Sequence, residues 1–221
     1  MPHAALFDVD GTLADTNHLH VTCWWEAFRQ AGHRVAMSDI HQAVGLGSGD
    51  LIAHLLGDGR GPEEAARIGA AHKTLYATYF GRLSAFDGAA DLLRALAGRG
   101  RRVVLATSAS GGELTALRAA IDADDVIAGT ASSDDVSAGK PAPEPVEHAL
   151  EIAGCSAAEA VFVGDSVWDM RAAARAGVPA IALLSGGIAR GELEEAGAVA
   201  VYRDVADLLA GLDGSPFTRP E

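Results

Sequence analysis

The chain has 221 residues, of which 49% are hydrophobic and 21% charged, and its 17 basic and 30 acidic side chains give a formal net charge of −13. This size suits one α/β domain with a smaller attached module, and the acidic balance argues against nucleic acid or an anionic membrane surface as a partner. We find no signal peptide and no apolar run near the roughly 20 residues that span a bilayer, so we expect a cytoplasmic protein with Cys23 and Cys155 reduced.

The first predicted element is a short buried strand over His3–Phe7, which Gly11 ends. Asp8 and Asp10 are two residues apart at its end, so both carboxylates can face one point. Groups held that close repel each other, and one pKa rises unless a cation intervenes. The pair therefore suits either a metal site or a nucleophile beside an acid/base group. Taken alone, it is equally compatible with a plain turn at the end of a strand.

A long insertion follows this strand. The interval from Asp10 to Thr107 is about three times the roughly 30 residues of a strand-helix-strand unit, which leaves about 60 to 65 residues to spare. We predict that this surplus is almost wholly helical, with helices over residues 20–31, 38–44, 49–56 and 62–80. Such a module lies next to the acidic turn and can close over it as a lid; a second packing layer is the alternative.

From residue 86 onward, helical and strand patterns alternate. We predict strands over residues 102–106, 125–128, 160–163, 180–184 and 198–201, separated by helices, and a frayed end over residues 214–221. This alternation predicts an α/β fold with a doubly wound parallel sheet, in which ligands bind beyond the carboxyl ends of the strands. Asp8, Asp10, Thr107 and Asp165 all fall at such ends.

Four short motifs at these strand ends and in one loop resemble those of a known family. They are Asp8-Val9-Asp10-Gly11-Thr12, the Leu-Ala-Thr that ends at Thr107, Lys140-Pro141, and Gly164-Asp165-Ser166-Val167-Trp168-Asp169. The chain resembles the haloacid dehalogenase-like hydrolases, in the subgroup with a helical cap inserted after the first strand. The resemblance covers essentially the whole chain. It implies a Rossmann-like catalytic core in residues 1–15 and 86–221 and an all-helical cap domain in residues 16–85.

The resemblance also implies roles for the polar residues of the core motifs. Asp8 would be the nucleophile that forms an aspartyl-phosphate, and Asp10 the general acid and base. Thr107 and Ser108 would hold phosphoryl oxygens. Mg²⁺ is the implied cofactor, because hard oxygen ligands and a phosphate suit it. Its expected ligands are Asp8, Asp10 through the backbone carbonyl, Asp165 and Asp169.

Lys140 would offset the charge that develops on the transferred group. It is one of only two lysines in the chain. Considered alone, Lys140 is also compatible with a solvated loop charge, and Asp165 and Asp169 with acids that cap a helix. For Asp169 the resemblance leaves open a contact with the metal through water or a pairing with Lys140.

In the proposed cap, His20 lies where related enzymes steady the hinge and contact the acid/base group. Gly45 and Ser48 belong to a glycine-rich stretch that family members use to read the substrate, although a simple turn between helices fits equally well. We expect most other histidines to be surface or satisfied polar residues, with His41 or His54 as candidates to face a substrate. Trp24, Trp25 and Phe28 are predicted to pack in the interior of the cap.

Among the activities of the family, hydrolysis of a small phosphate monoester, such as a phosphosugar, fits best. Asp10 argues against dehalogenation, and Lys73, the only lysine in the cap, is expected to lie far from the glycine-rich stretch, against phosphonate hydrolysis. The alternative is a β-phosphoglucomutase-like sugar-phosphate mutase, which residues 36–59 disfavour because none is Lys or Arg. A second alternative is a non-catalytic phosphate- or protein-binding domain. Monomer and homodimer both stay open.

Overall fold

The computed structural model describes residues 3–57, 59 and 61–218, and its centre is a six-stranded sheet. The strands are β1 (Ala4–Phe7), β2 (Arg102–Ala106), β3 (Ile127–Ala131), β4 (Ala160–Gly164), β5 (Ala180–Leu183) and β6 (Ala198–Tyr202). Their order is β3-β2-β1-β4-β5-β6, and every neighbouring pair is parallel. The predicted doubly wound parallel sheet is therefore confirmed. Its order reverses between β1 and β4, where such sheets open a ligand-binding crevice.

In the described part of the chain, four helices lie between the end of β1 and residue 78, and we call them the inserted helices. They are α1 (Asn17–Gln30), α2 (Met37–Ala43), α3 (Ser48–Leu56) and α4 (Pro62–Ala77). They share a hydrophobic cluster of their own, in which Trp24, Phe28 and Ile68 are buried and Trp25 is partly buried. The chain leaves and returns side by side, because Asp15 N donates to Ser84 O at 3.0 Å and Phe86 N to Leu13 O at 2.9 Å.

Six further helices cover the two faces of the sheet. They are α5 (Ala89–Gly98), α6 (Gly111–Ile121), α7 (Glu144–Ala153), α8 (Val167–Arg175), α9 (Arg190–Glu195) and α10 (Val205–Ala210). Successive side chains of β1 point to opposite faces: Ala5 and Phe7 join the cluster of α5, α6 and α10, whereas Ala4 and Leu6 join that of α7, α8 and α9. Burial on both faces holds the end of β1 in a fixed place.

Two local predictions were wrong. The strand predicted over residues 125–128 lies at Ile127–Ala131, where the backbone pairs with β2. The end of the chain is not frayed up to residue 218, because Phe217 is buried in the core and its carbonyl accepts a hydrogen bond from Arg101 Nη2 at 3.1 Å; residues 219–221 lie outside the described residues. In the described part of the chain, no helix is long and apolar enough to cross a membrane.

Candidate active site

Asp8 and Asp10 follow β1 on a tight turn whose shape requires glycine. Gly11 has φ +75°, in the left-handed region that glycine adopts readily. A Cβ atom at Gly11 would lie 2.3 Å from Asp165 Oδ2, because the turn after β1 packs directly against the residue that follows β4. The two acidic motifs therefore meet at the crevice between β1 and β4.

Three buried carboxylates share this place with one ammonium group. Asp8, Asp165 and Asp169 each contribute an oxygen that lies within 4.8 Å of the others. Lys140 Nζ donates to Asp8 Oδ1 and lies 2.7 Å from Asp169 Oδ1. The pKa of Asp8 is raised to about 7. Burial is the main cause, the charge of Lys140 acts to lower the pKa, and the charges of Asp169 and Asp10 act to raise it. Burial also acts to lower the pKa of Lys140, but Asp169 and Asp8 outweigh it and raise that pKa.

Asp165 is held firmly by its surroundings. Thr12 Oγ1 donates to its Oδ1 and Asn17 Nδ2 to its Oδ2, both at 2.8 Å. The backbone of Gly186 packs so closely that an added Cβ would lie 1.8 Å from Oδ2. Burial, followed by the charges of Asp169 and Asp8, raises the pKa of Asp165 well above its usual range. An excess of buried carboxylate oxygens over cations fits a hard divalent cation such as Mg²⁺.

Asp169 makes two kinds of contact. Its Oδ2 accepts hydrogen bonds from Ser166 N at 3.1 Å and Ser166 Oγ at 2.6 Å, which forms a capping box at the start of α8. Its Oδ1 pairs with Lys140. Of the two arrangements left open for Asp169, the structure has the pairing with Lys140. Asp165 precedes the helix cap and takes no part in it.

The side chain of Asp10 has partners of its own, different from those of the three carboxylates. Its Oδ1 accepts a hydrogen bond from Thr16 Oγ1 at 2.7 Å and lies 3.2 Å from His20 Nε2. Burial acts to raise the pKa of Asp10, but His20 and Thr16 outweigh it and lower that pKa. The pKa of His20 is raised, because Asp10 outweighs the effect of burial. Thr16 and His20 thus occupy the side-chain oxygen Oδ1 of Asp10, and a metal contact through its backbone carbonyl stays a prediction.

An aromatic stack from α1 and α4 supports His20. His72 Nε2 lies 3.2 Å from His20 Nδ1, and the ring of His72 stacks on Trp24 at a centroid distance of 3.9 Å. The ring of Tyr76 stacks on His20 at 4.0 Å. The expectation that His72 lies at the surface or has its ring nitrogens hydrogen-bonded is wrong, because the residue is buried and its Nδ1 has no hydrogen-bond partner among the described residues. Burial lowers the pKa of His72 to about 2, so the ring is neutral.

A cavity of about 240 Å³ opens in front of Asp8 and Asp10. Six of the predicted site residues line it, namely Asp8, Asp10, His20, Gly45, Ser48 and Ser108. Thr107 and Lys140 line an adjoining cavity of about 150 Å³, and Ser108 lines both. Gly45 has φ +104°, and a Cβ there would lie 2.8 Å from Ser166 Oγ, so glycine lets the inserted loop pass close to α8.

Two further charged residues line the larger cavity without having been assigned a role from the sequence. Lys73 on α4 lies there with Gly45 and Ser48, so the expectation that it is far from the glycine-rich stretch was wrong. The reason is tertiary: α4 packs against α1 and α3 and returns to the cavity. Glu113 is in the first turn of α6, and its Oε1 lies 3.8 Å from His20 Nε2. Burial, together with the charge of Asp10, raises the pKa of Glu113 to about 7.

His41 and His54, the candidates to face a substrate, lie elsewhere. His41 Nε2 is 2.8 Å from the carbonyl oxygen of Gly186, and the His54 ring meets the edge of Trp168. Neither is among the described residues that line the larger cavity. The sequence could have indicated that Glu113 lies near the site, because the first turn of a helix that follows a strand lies near the carboxyl end of a parallel sheet.

Comparisons with known proteins agree with this geometry. A family described as haloacid dehalogenase-like hydrolase matches residues 2–177. The phosphoglycolate phosphatase of Rhodospirillum rubrum is 31% identical, over 94% of this chain and 90% of that protein. A hydrolase from Pseudomonas syringae superimposes with a TM-score of 0.91 at 35% identity, covering 96% of this chain and 98% of that one. CbbY from Rhodobacter sphaeroides, solved in complex with phosphate, gives 0.78 at 31% identity, covering 96% and 100%.

Proposed function

The chain belongs to the haloacid dehalogenase-like hydrolases and is a phosphatase of small phosphate esters, and we propose that it works through an aspartyl-phosphate on Asp8 with Mg²⁺ as cofactor. The observation that carries this proposal is the placement of Asp8. Its carboxylate lies at the wall of the cavity, in contact with Lys140, and Asp10 lines the same cavity with its own partner, His20. The two carboxylates therefore have different surroundings and suit different roles.

In the proposed first step, an Asp8 oxygen attacks phosphorus and the bond from phosphorus to the ester oxygen breaks. The leaving oxygen takes the proton that Asp10 and His20 hold between Oδ1 and Nε2, 3.2 Å apart. In the second step a water molecule attacks phosphorus and gives a proton back to Asp10. The bond to Asp8 then breaks, which releases inorganic phosphate and restores both carboxylates.

Lys140, Thr107 and Ser108 are proposed to hold the phosphoryl group. Lys140 keeps a positive charge in contact with Asp8, and this charge favours the ionised nucleophile and the developing negative charge of the transferred group. Thr107 and Ser108 lie next to it along the adjoining cavity. Mg²⁺ would be held by Asp8, Asp165 and the backbone carbonyl of Asp10, and it would supply further positive charge to the phosphate. Asp169 then acts through Lys140 and orients it.

Residues 16–85 are proposed to be a cap domain that closes over the cavity, with residues 1–15 and 86–221 as the catalytic core. The inserted helices have a hydrophobic cluster of their own, and two adjacent chain segments join them to the sheet. Gly45 and Ser48 in that segment line the cavity and are proposed to contact the substrate, a small phosphosugar or a similar metabolite. The unpaired Cys23 and Cys155 support a proposed location in the cytoplasm, where thiols stay reduced.

The test is the release of inorganic phosphate from a panel of small phosphate esters, including p-nitrophenyl phosphate, with Mg²⁺ and with a chelator. We expect turnover only with Mg²⁺ and only with Asp8 intact, so that Asp8→Asn loses at least about a thousandfold in kcat. The same variant should keep its folded-state circular dichroism spectrum. Equal activity of Asp8→Asn and the unchanged protein would reject Asp8 as the nucleophile.

Lys73 supports a second candidate activity, the transfer of a phosphoryl group between two hydroxyls of one sugar phosphate. A mutase needs a cation to hold the second phosphate, and Lys73 places one at the cavity. Conversion of β-glucose 1-phosphate to the 6-phosphate, without net release of phosphate, would identify this activity. Release of phosphate from the same compound would identify the hydrolase.

A further inference from the structure

Glu113 is a carboxylate at the cavity wall that the proposed chemistry does not use. Its side chain is 19% exposed, and it lines the cavity together with Asp8 and Asp10. Its Oε1 lies 3.8 Å from His20 Nε2, on the side of His20 that also meets Asp10. A leaving group that accepts a proton from Asp10 must therefore pass close to Glu113.

The position of Glu113 in the first turn of α6 stabilises that helix, since acidic side chains interact favourably with a helix N-terminus. This effect does not require the carboxylate to face the cavity. Glu147 also lies in the first turn of a helix, α7, but it is exposed and lies outside the lining of the cavity. A comparison of variants at Glu113 and Glu147 therefore separates the stabilisation of a helix from an interaction with a ligand.

The remaining lining shows which groups can lie beside Glu113. Lys73 is the one lysine, and the described lining contains no arginine, the residue that best holds a carboxylate or phosphate through two hydrogen bonds. Hydroxyl groups come from Ser48, Ser108, Ser110 and Ser133. Glu113 as acceptor, Lys73 as donor and these hydroxyls match the hydroxyl groups of a neutral polyol. When Glu113 is ionised, a leaving group with a negative charge meets its like charge.

We propose that Glu113 determines specificity: it accepts a hydrogen bond from a hydroxyl group of the leaving group and disfavours leaving groups that carry a carboxylate or a second phosphate. The preferred substrates are then phosphate monoesters of polyols and sugars. This inference rests on the proposed phosphatase function and concerns the same cavity.

The test uses two esters that differ only in the group in question. Phosphoglycolate carries a carboxylate where 2-hydroxyethyl phosphate carries a hydroxymethyl group, and p-nitrophenyl phosphate reports basal phosphatase activity. At pH 8, where Glu113 is ionised, we compare kcat/KM for the unchanged protein, Glu113→Gln and the matched control Glu147→Gln. The unchanged protein should favour 2-hydroxyethyl phosphate. Glu113→Gln should shift the ratio of the two esters toward phosphoglycolate on the order of tenfold, mainly through KM, and Glu147→Gln should not change it.

A preference of the unchanged protein for phosphoglycolate, or the same ratio in Glu113→Gln, would overturn the inference. Because both esters are measured on each variant, a general loss of stability or rate cancels in the ratio. In those cases the hydrolysis of p-nitrophenyl phosphate still supports the proposed function. No Asp8-dependent release of phosphate from any of the three esters would reject both the function and the inference.

Discussion

His20 on α1 and His72 on α4 face each other with 3.2 Å between Nδ1 and Nε2, directly behind Asp10. The neutral His72 can accept a hydrogen bond from His20, which leaves the other nitrogen of His20 to Asp10. The contact joins two inserted helices to a residue at the end of β1. The orientation of Asp10 thus depends on how these helices pack.

The pH dependence of stability should reveal the burial of His72. The pKa of His72 is about 2 in the folded protein and about 6.5, the usual value, in the unfolded chain. Between these two pH values the unfolded chain therefore binds one proton more than the folded protein. The contribution of His72 to the free energy of unfolding is therefore lost as pH falls below about 6.5, by about 2 kcal/mol between pH 7 and pH 5. His20, Asp10 and Lys73 also act on this ring.

The measurement is urea unfolding of the unchanged protein and of His72→Gln at pH 7 and pH 5. Neighbouring groups titrate in both proteins, so the difference between them isolates His72. Lowering the pH from 7 to 5 should reduce the free energy of unfolding of the unchanged protein by about 2 kcal/mol more than that of His72→Gln. A difference that stays constant with pH would show that His72 does not remain neutral in the folded protein.

Removal of Lys140 should cost stability as well as activity. Lys140→Met leaves Asp8 and Asp169 buried without their cation, and loss of one partner from a buried pair costs about 3 to 5 kcal/mol. The double variant Lys140→Met, Asp169→Asn should recover part of this stability and none of the activity. Denaturant unfolding and phosphate release measure the two effects. Lys73→Met, which changes the exposed lysine, should alter the free energy of unfolding by about 0.5 kcal/mol or less.

A methyl group at Gly186 should weaken metal binding without replacing any of the proposed ligands. The Cβ of Gly186→Ala would meet Asp165 Oδ2 at 1.8 Å and displace that carboxylate. Changes in the groups that orient a metal ligand typically cost 10- to 100-fold, so we expect the half-saturating concentration of Mg²⁺ to rise by about that factor. Gly191→Ala has open space and serves as the control. Equal metal dependence of both variants would place the metal elsewhere.

Mg²⁺ should stabilise the fold through Asp165. A ligand that binds only the folded state adds about 2.7 kcal/mol at a concentration of 100 times its Kd, so the thermal midpoint should rise as Mg²⁺ is added. Asp165→Asn should remove this rise. In the presence of a chelator the same variant should be at least as stable as the unchanged protein, because it relieves the repulsion from Asp169 and Asp8. Differential scanning calorimetry with and without Mg²⁺ measures both effects.

The sheet and the core motifs could be predicted because their signals are local. Short apolar runs that end in Asp8, Thr107 and Asp165 mark strands and their carboxyl ends, and parallel topology brings such ends to one edge. The third strand was misplaced because Gly129 and Thr130 weaken its apolar pattern.

Other features depend on contacts between residues far apart in the chain. Lys73 and His72 reach the cavity only because α4 packs against α1. The residue pattern within α4 does not predict which helix it packs against. The direction of Glu113 and the burial of Phe217 likewise follow from packing. Side-chain positions of this kind are decided by the tertiary structure, which the periodicity of a single helix does not specify.

The two adjacent segments that join the inserted helices to the sheet have an evolutionary consequence. A piece of chain whose ends lie next to each other, bridged by the hydrogen bonds of Asp15 and Phe86, can be replaced by another piece with the same spacing between its ends. The glycine-rich stretch around Gly45, which is proposed to contact the substrate, can then be exchanged while Asp8 and Lys140 keep their places. Chimeras that graft a foreign helical segment between residues 15 and 84 would redirect the enzyme to new esters only where the graft keeps Thr16, Asn17 and His20, which contact Asp10 and Asp165.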